Sequence, residues 1–199
     1  MTGVDLPAIA LAAGLAWASG VRLYAVLFLV GGAHWLGWMA LPEHLQVLAH
    51  PVVLGTSGTL AVAEFVADKV PGFDSLWDAV HTFIRIPAGA LLAAGSIGAL
   101  GDDSLPWLVA AGLIGGTITA GSHFTKAGTR LAINHSPEPF SNWMASFVED
   151  LAAPGIVWLA VVAPVLLLGA LVVAVLVAIW LLPRLARWLG LVLRPFRRA

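Results

Sequence analysis

From Pro154 to Leu182 the chain runs for twenty-nine residues without a charged side chain. About 20 apolar residues cross the hydrocarbon core of a bilayer as a helix, so this stretch is long enough to span one. It is the most apolar of several such stretches. Leu6 to Leu41, Pro51 to Val70, Phe83 to Leu100 and Leu105 to about Ile133 are the others. Of the 199 residues, 60% are hydrophobic and 11% charged, with a mean hydropathy of +0.93. Soluble domains carry roughly a quarter charged residues. One water-surrounded core of this length could not hide so much apolar surface, so lipid has to be the solvent for most of it. The expected fold is therefore all-α: a polytopic transmembrane helical bundle of about five spans, some broken or re-entrant. The alternation of a membrane β-barrel is missing, and without cysteine there is no disulfide, thiolate metal site or iron–sulfur cluster.

Breaks in the apolar pattern set the expected organisation. Ser19-Gly20-Val21-Arg22 interrupts the first stretch, giving one long tilted helix or a helix broken near Gly20. No basic region precedes that stretch, so it is expected to stay as a span rather than act as a cleaved signal. Pro71-Gly72-Phe73-Asp74 is followed by a short polar helix through Trp77 to His81, and Asn134 to Ser141 reads as a rigid loop before another from Asn142 to Asp150. Residues 1–183 form a single transmembrane domain in this reading, and 184–199 a basic amphipathic tail. Arg184, Arg187, Arg194, Arg197 and Arg198 make that tail cytoplasmic by the positive-inside rule and suit it to anionic lipid. A multi-pass protein of a bacterial cytoplasmic (inner) membrane is the expected location.

Glu64-x-x-x-Asp68-x-x-Pro71 aligns with Arg130-x-x-x-Asn134-x-x-Pro137, and one residue later Phe73 matches Phe140 and Pro87 matches Pro154. The match suggests an internal duplication with units 51–100 and 105–183, parallel or inverted. Membrane repeats often build a site at their interface from discontinuous helices.

The candidate site lies in the charges. A charged group at mid-bilayer costs about 2.5–3.5 kcal/mol even on the lenient insertion scale, so such groups pair or line a cavity. Helical spacing puts Glu64 with Asp68, Asp74 with Asp78, and His81 with Arg85 on shared faces, and aligns His123, Lys126, Arg130 and Asn134 as a stripe. Arg22, with apolar sequence on both sides, belongs with them, as do Glu138, Glu149 and Asp150. These thirteen residues (Arg22, Glu64, Asp68, Asp78, His81, Arg85, His123, Lys126, Arg130, Asn134, Glu138, Glu149 and Asp150) are the candidate substrate or ion site. Glu64, Asp68, Asp78 and His81 are the candidates for a divalent cation such as Mn²⁺ or Zn²⁺, since carboxylate with imidazole suits either. Competing readings place Glu64 and Asp68 in solvated headgroups and Asp74 and Asp78 as caps of a surface helix. His34, His44 and His50 read as interfacial, and the tryptophans near segment ends as an aromatic belt.

At these residues the chain resembles a family of small bacterial membrane proteins known as domain of unknown function family 4126. The resemblance rests on Ser19-Gly20-Val21-Arg22, on Glu64-Phe-Val-Ala-Asp68-Lys69-Val-Pro71-Gly-Phe-Asp74 and on Asp78-x-x-His81-Thr82-x-x-Arg85-x-Pro87. It continues in His123-x-x-Lys126-x-x-x-Arg130-x-x-x-Asn134-x-Ser-Pro-Glu138-Pro, then Ser141-Asn142 and Glu149-Asp150, and reaches about Pro183. It implies no activity. The residues themselves lead to a transporter or permease for a small ion or charged solute, with membrane lipid around it and no nucleic-acid partner. An anionic-lipid carrier using Arg22, Arg85 and Arg130, a Mg²⁺-dependent lipid phosphotransferase around Asp74 and Asp78, and a non-catalytic scaffold are the alternatives. A homodimer would enlarge the site of so short a chain.

Overall fold

The computed structural model describes residues 5–97, 104–135 and 140–192. Six α-helices occupy nearly all of them: α1 (Leu6–Trp35), α2 (Pro51–Ala67), α3 (Phe73–Ile97), α4 (Ser104–Ile133), α5 (Phe140–Val162) and α6 (Pro164–Val192), with a 3-10 helix at Glu43–Ala49. Five of these, α1 and α3 to α6, are long and apolar enough to cross a membrane, and the 3-10 helix with α2 forms a pair bent by 67° that would make a sixth. The protein is an all-α, multi-pass helical bundle.

About five spans are expected and five helices qualify by length and composition, but the boundaries differ. The short polar helix around Trp77 and the span after it are one helix, α3, and the helix at Asn142 likewise runs on past Pro154 as α5. Each proline removes one backbone donor. An apolar surrounding offers the remaining backbone groups no partner outside the helix, so the helix persists on both sides. The break comes instead at Ala163, where Pro164 disfavours helical geometry in the residue before it. Helix α6 then continues across Pro183 to Val192.

Helix α1 is broken at Arg22, whose φ of −144° and ψ of 73° lie outside the helical region. Contacts on either side show how far it turns. The Gly20 carbonyl accepts from Arg85 of α3. Gly31, eleven residues on, abuts the carbonyl of Leu48, while Leu45 of the same 3-10 helix packs on Gly95, ten residues beyond Arg85. Since α1 up to Gly20 runs antiparallel to α3, a straight α1 would carry Gly31 about 16 Å in the opposite direction. The chain therefore doubles back at Arg22. The two arms form a V within the bundle.

The other helices pass up and down around this V. Helix α2 returns along the second arm, with Gly58 against Phe28, and brings Asp68 back to Arg22 at 3.0 Å. Helices α3 and α4 are antiparallel, with Gly89 against Thr119 and Gly115 against Ala93. Helix α5 runs antiparallel to the first arm, placing Ser146 by Arg22 and Ile156 by Gly14. Helix α6 goes from Leu167 at Gly14 to Leu185 at Gly128 of α4. Glycine is required at position 20, where a Cβ would collide with the Ser122 hydroxyl and stand 2.5 Å from the Thr119 carbonyl.

Two outcomes are expected. Gly20→Ala destabilises the detergent-purified protein by about 1–3 kcal/mol in thermal unfolding. Gly55→Ala, which meets open space, costs nothing measurable. The chain has no cysteine, so single cysteines report sidedness cleanly. Asp5→Cys and Glu43→Cys label from the same side of the membrane and Arg187→Cys from the other; opposite sides for Asp5 and Glu43 would refute the reversal at Arg22.

Candidate functional site

The break in α1 frees backbone carbonyls inside an apolar bundle, and neighbouring side chains take them up. Arg85 donates to the Gly20 carbonyl at 3.4 Å and Lys126 to that of Val21 at 3.0 Å. One turn earlier, the Thr119 hydroxyl donates to the Ala16 carbonyl and that of Ser122 to Trp17, both on top of the helical pattern. Membrane helices tolerate breaks where polar side chains re-satisfy the backbone in this way. Arg85, His123, Lys126 and their carboxylates consequently gather around the tip of the V.

What forms there is a ladder of alternating charge. Lys69 meets Asp150 at 3.0 Å, Asp150 meets Arg22 at 2.5 Å, and Arg22 meets Asp68 at 3.0 Å. Asp68 continues to Lys126 at 2.8 Å, Lys126 to Asp78 at 3.5 Å, Asp78 to Arg85 at 2.8 Å, and Arg85 to Glu64 at 2.6 Å. Lys69 and Asp150 form the rim, 34% and 22% exposed, whereas Arg85 and Glu64 at the inner end are fully buried. From Asp74 to Arg85 the charged face of α3 extends about 16 Å along its axis, roughly half the thickness of a hydrocarbon core.

A side branch joins the ladder at Lys126, which lies 3.4 Å from Glu149. Arg130 grips Glu149 with two parallel bonds, from Nε at 3.0 Å and Nη2 at 2.7 Å, the fork geometry that suits guanidinium to carboxylate. Its Nη1 donates to the backbone carbonyls of Asp68 and Asn142 and to the Asn142 side chain. One arginine thus ties together the end of α2, the end of α4 and the start of α5.

Asp74 is held differently. Its carboxylate accepts from the backbone of Gly72 at 2.9 Å and Ser75 at 2.6 Å, and from the amides of Asn134 at 2.7 Å and Asn142 at 3.1 Å. The nearest guanidinium, Arg130, is 3.9 Å away. Four N–H donors at the start of α3 replace a counter-ion, helped by the positive end of the helix dipole.

The structure brings together Arg22, Glu64, Asp68, Asp78, Arg85, Lys126, Arg130, Glu149 and Asp150 as one ionic network, with Asn134 joined to it through Asp74 and Asn142. His123 belongs to it as well: its Nδ1 lies 3.3 Å from Arg85 and its Nε2 2.7 Å from the Thr82 hydroxyl, beside a groove of about 290 Å³ between α3 and α4. Glu138 lies outside the described residues. Solvated headgroup positions do not describe Glu64 and Asp68, which are fully buried. His81 faces elsewhere, stacked on Trp77 at 4.1 Å, edge-on to Tyr24 and bonded to the Trp77 carbonyl. Glu64, Asp68, Asp78 and His81 accordingly do not converge as a ligand set. Among the described residues no group of three or more His, Asp or Glu side chains is arranged to hold a metal ion.

The sequence reading missed Asn142, Ser146, Lys69 and Thr82 as members of the site. Asn142, Ser146 and Asp150 repeat every four residues along α5, a stripe readable from spacing; the Thr82–His123 contact joins residues forty-one apart and left no such trace.

Depth ranks the pairs. Arg85→Gln strands the buried Glu64 and Asp78 and is expected to destabilise by about 3–5 kcal/mol. Lys69→Ala, at the rim, costs less than about 1 kcal/mol. Unfolding of both variants in one detergent measures the contrast, and equal effects would contradict the ranking.

Neither a curated protein nor a solved structure matches the chain. A family model does match, over residues 9–184, a range that includes every member of the ladder and its side branch. On that match the chain belongs to the family described as Domain of unknown function (DUF4126).

Proposed function

We propose that the protein is a permease for a small ion or charged solute in a bacterial cytoplasmic membrane, with the buried ionic network as its binding site. One observation carries the reading. Among the described residues, Glu64 Oε2, Asp68 Oδ1, Asp78 Oδ2, Arg22 Nε and Arg85 Nε are buried and have no hydrogen-bond partner in the protein. Leaving such an atom unmatched costs about 1–3 kcal/mol, more when charged. A network that served only to glue helices together would gain by using these atoms. A site that takes up a small polar guest needs them free.

Two further features support it. The site lies where the V and several helix ends meet, the kind of discontinuity at which transporters bind their substrates. The units α2–α3 and α4–α5 are also matched: Pro87 and Pro154 are each the fifteenth residue of their helix, and each unit's second helix begins against the other's first helix end. We read this as the duplication expected from sequence, with α3 and α5 running in the same direction.

Charge supports the orientation. The described ends remote from the site, residues 5–10 and 36–50, contain Asp5 and Glu43 but no Lys or Arg. Lys69, Arg184 and Arg187 belong to the other ends, so the site opens toward the cytoplasm, on the side of the C-terminus. A homodimer and contact between the basic tail and anionic lipid belong to the same proposal.

The alternatives have less support. Arg22, Arg85 and Arg130 are each held by a carboxylate at 2.5 to 2.7 Å, so a lipid phosphate would have to displace it. Asp74, needed for a Mg²⁺-dependent phosphotransferase, has both oxygens engaged by N–H donors.

Flux through proteoliposomes tests the reading. A panel of monovalent and divalent cations, protons and small anions is offered to the wild type and to the Glu64→Gln/Asp68→Asn variant. The expected result is uptake of at least one species that falls more than tenfold in the variant. Equal flux in both removes the role given to Glu64 and Asp68, and no flux of any species removes the permease reading.

A further inference from the structure

We infer that Glu64 is the proton-exchanging carboxylate of this site, an inference that rests on the permease reading and names the proton as the species handled there. The geometry sets Glu64 apart from the other acids of the network. Asp78 is shared by Arg85 and Lys126, Asp68 by Arg22 and Lys126, Glu149 by Arg130 and Lys126, and Asp150 by Arg22 and Lys69. Asp74 is fixed by four N–H donors. Glu64 ends the ladder, with Arg85 as its one ion-pair partner among the described residues and Oε2 unmatched.

Its partner is shared, and that decides what protonation costs. When a proton binds Oε2, Oε1 still accepts from Arg85, and the guanidinium keeps the Asp78 carboxylate at 2.8 Å. No buried cation is stranded, which is the usual penalty for neutralising half of a buried pair. Release of the proton restores the starting arrangement. Protonating any other acid of the ladder removes a bridge between two cations.

From Glu64 the ladder climbs to the rim at Lys69 and Asp150. One and two turns earlier on the same face of α2, Leu60 and Ser57 line an open groove of about 220 Å³ between α2 and the second arm of α1, together with Tyr24 and Thr56. A single free carboxylate oxygen suits a proton, which needs one acceptor. The charged and titratable groups around Glu64 are Arg85, Asp78 and His81 on α3, Arg22 and Tyr24 on α1, Asp68 at the end of α2, and Lys126 and His123 on α4.

Infrared difference spectroscopy on the detergent-purified full-length protein tests this. Acidification should produce a carboxylic-acid C=O band that moves on deuteration, is lost in Glu64→Gln, returns at a shifted frequency in Glu64→Asp, and persists in Glu149→Gln. The return in Glu64→Asp separates loss of the group from misfolding. A pH-difference band unchanged by Glu64→Gln overturns the inference, and if cation flux in liposomes persists the permease reading stands without it. A Glu64 band in a protein that moves no ion in liposomes supports the assignment and removes the permease reading instead.

Discussion

An arginine at a helix break inside apolar surroundings has to be met by carboxylates, and Arg22 is met by two. Asp68 reaches it from the end of α2 and Asp150 from α5. Because Arg22 is the tip of the V, these bonds fix where the chain turns and where α2 must end. The chain leaves the ionic network at Arg22, runs through the second arm of α1, the 3-10 helix and α2, and comes back to it at Asp68. Without the two carboxylates, the backbone groups opened at the break and a buried guanidinium would both lack partners in a medium that offers none.

The rest of the network is built outward from that requirement. Four fully or nearly buried cations, Arg22, Arg85, Lys126 and Arg130, face four fully buried carboxylates, Glu64, Asp68, Asp74 and Asp78. Glu149, Asp150 and Lys69 form the partly exposed edge. Close approach of the helix backbones makes the bonds short. Gly20, Gly89 and Gly115 let α1, α3 and α4 approach until side chains such as Thr119 and Ser122 reach a neighbouring helix's carbonyls. Small residues at helix contacts serve this purpose wherever lipid provides no hydrophobic drive to associate. The glycines and the charges are therefore one device.

Asp74 and Glu64 show how environment separates chemically similar acids. Asp74 is surrounded by N–H donors from a helix start and two asparagines, which fix it in place as part of the fold. Glu64 has a shared guanidinium and an unmatched oxygen. Position in the ladder, rather than residue type, distinguishes a carboxylate that holds the fold from one free to exchange its proton.

Apolar length and composition alone determined that this chain is a helical membrane protein of about five spans, since lipid admits few other solutions for such segments. Helical spacing also picked out most of the ionic network, because residues four apart share a face whatever the tertiary fold. It could not tell that Arg22 reverses the chain, since a break carries no angle in its sequence. Nor could it tell that His81 turns to Trp77 and Tyr24 while His123 joins Arg85, because one helix face touches several neighbours. Pro154 reads as the start of a span but stands inside α5, as Pro87 stands inside α3, because a helix in lipid gives up one bond more readily than several. Which acid pairs with which base was decided only by the tertiary structure, where the depth and order of the helices set the distances on which ion pairing depends.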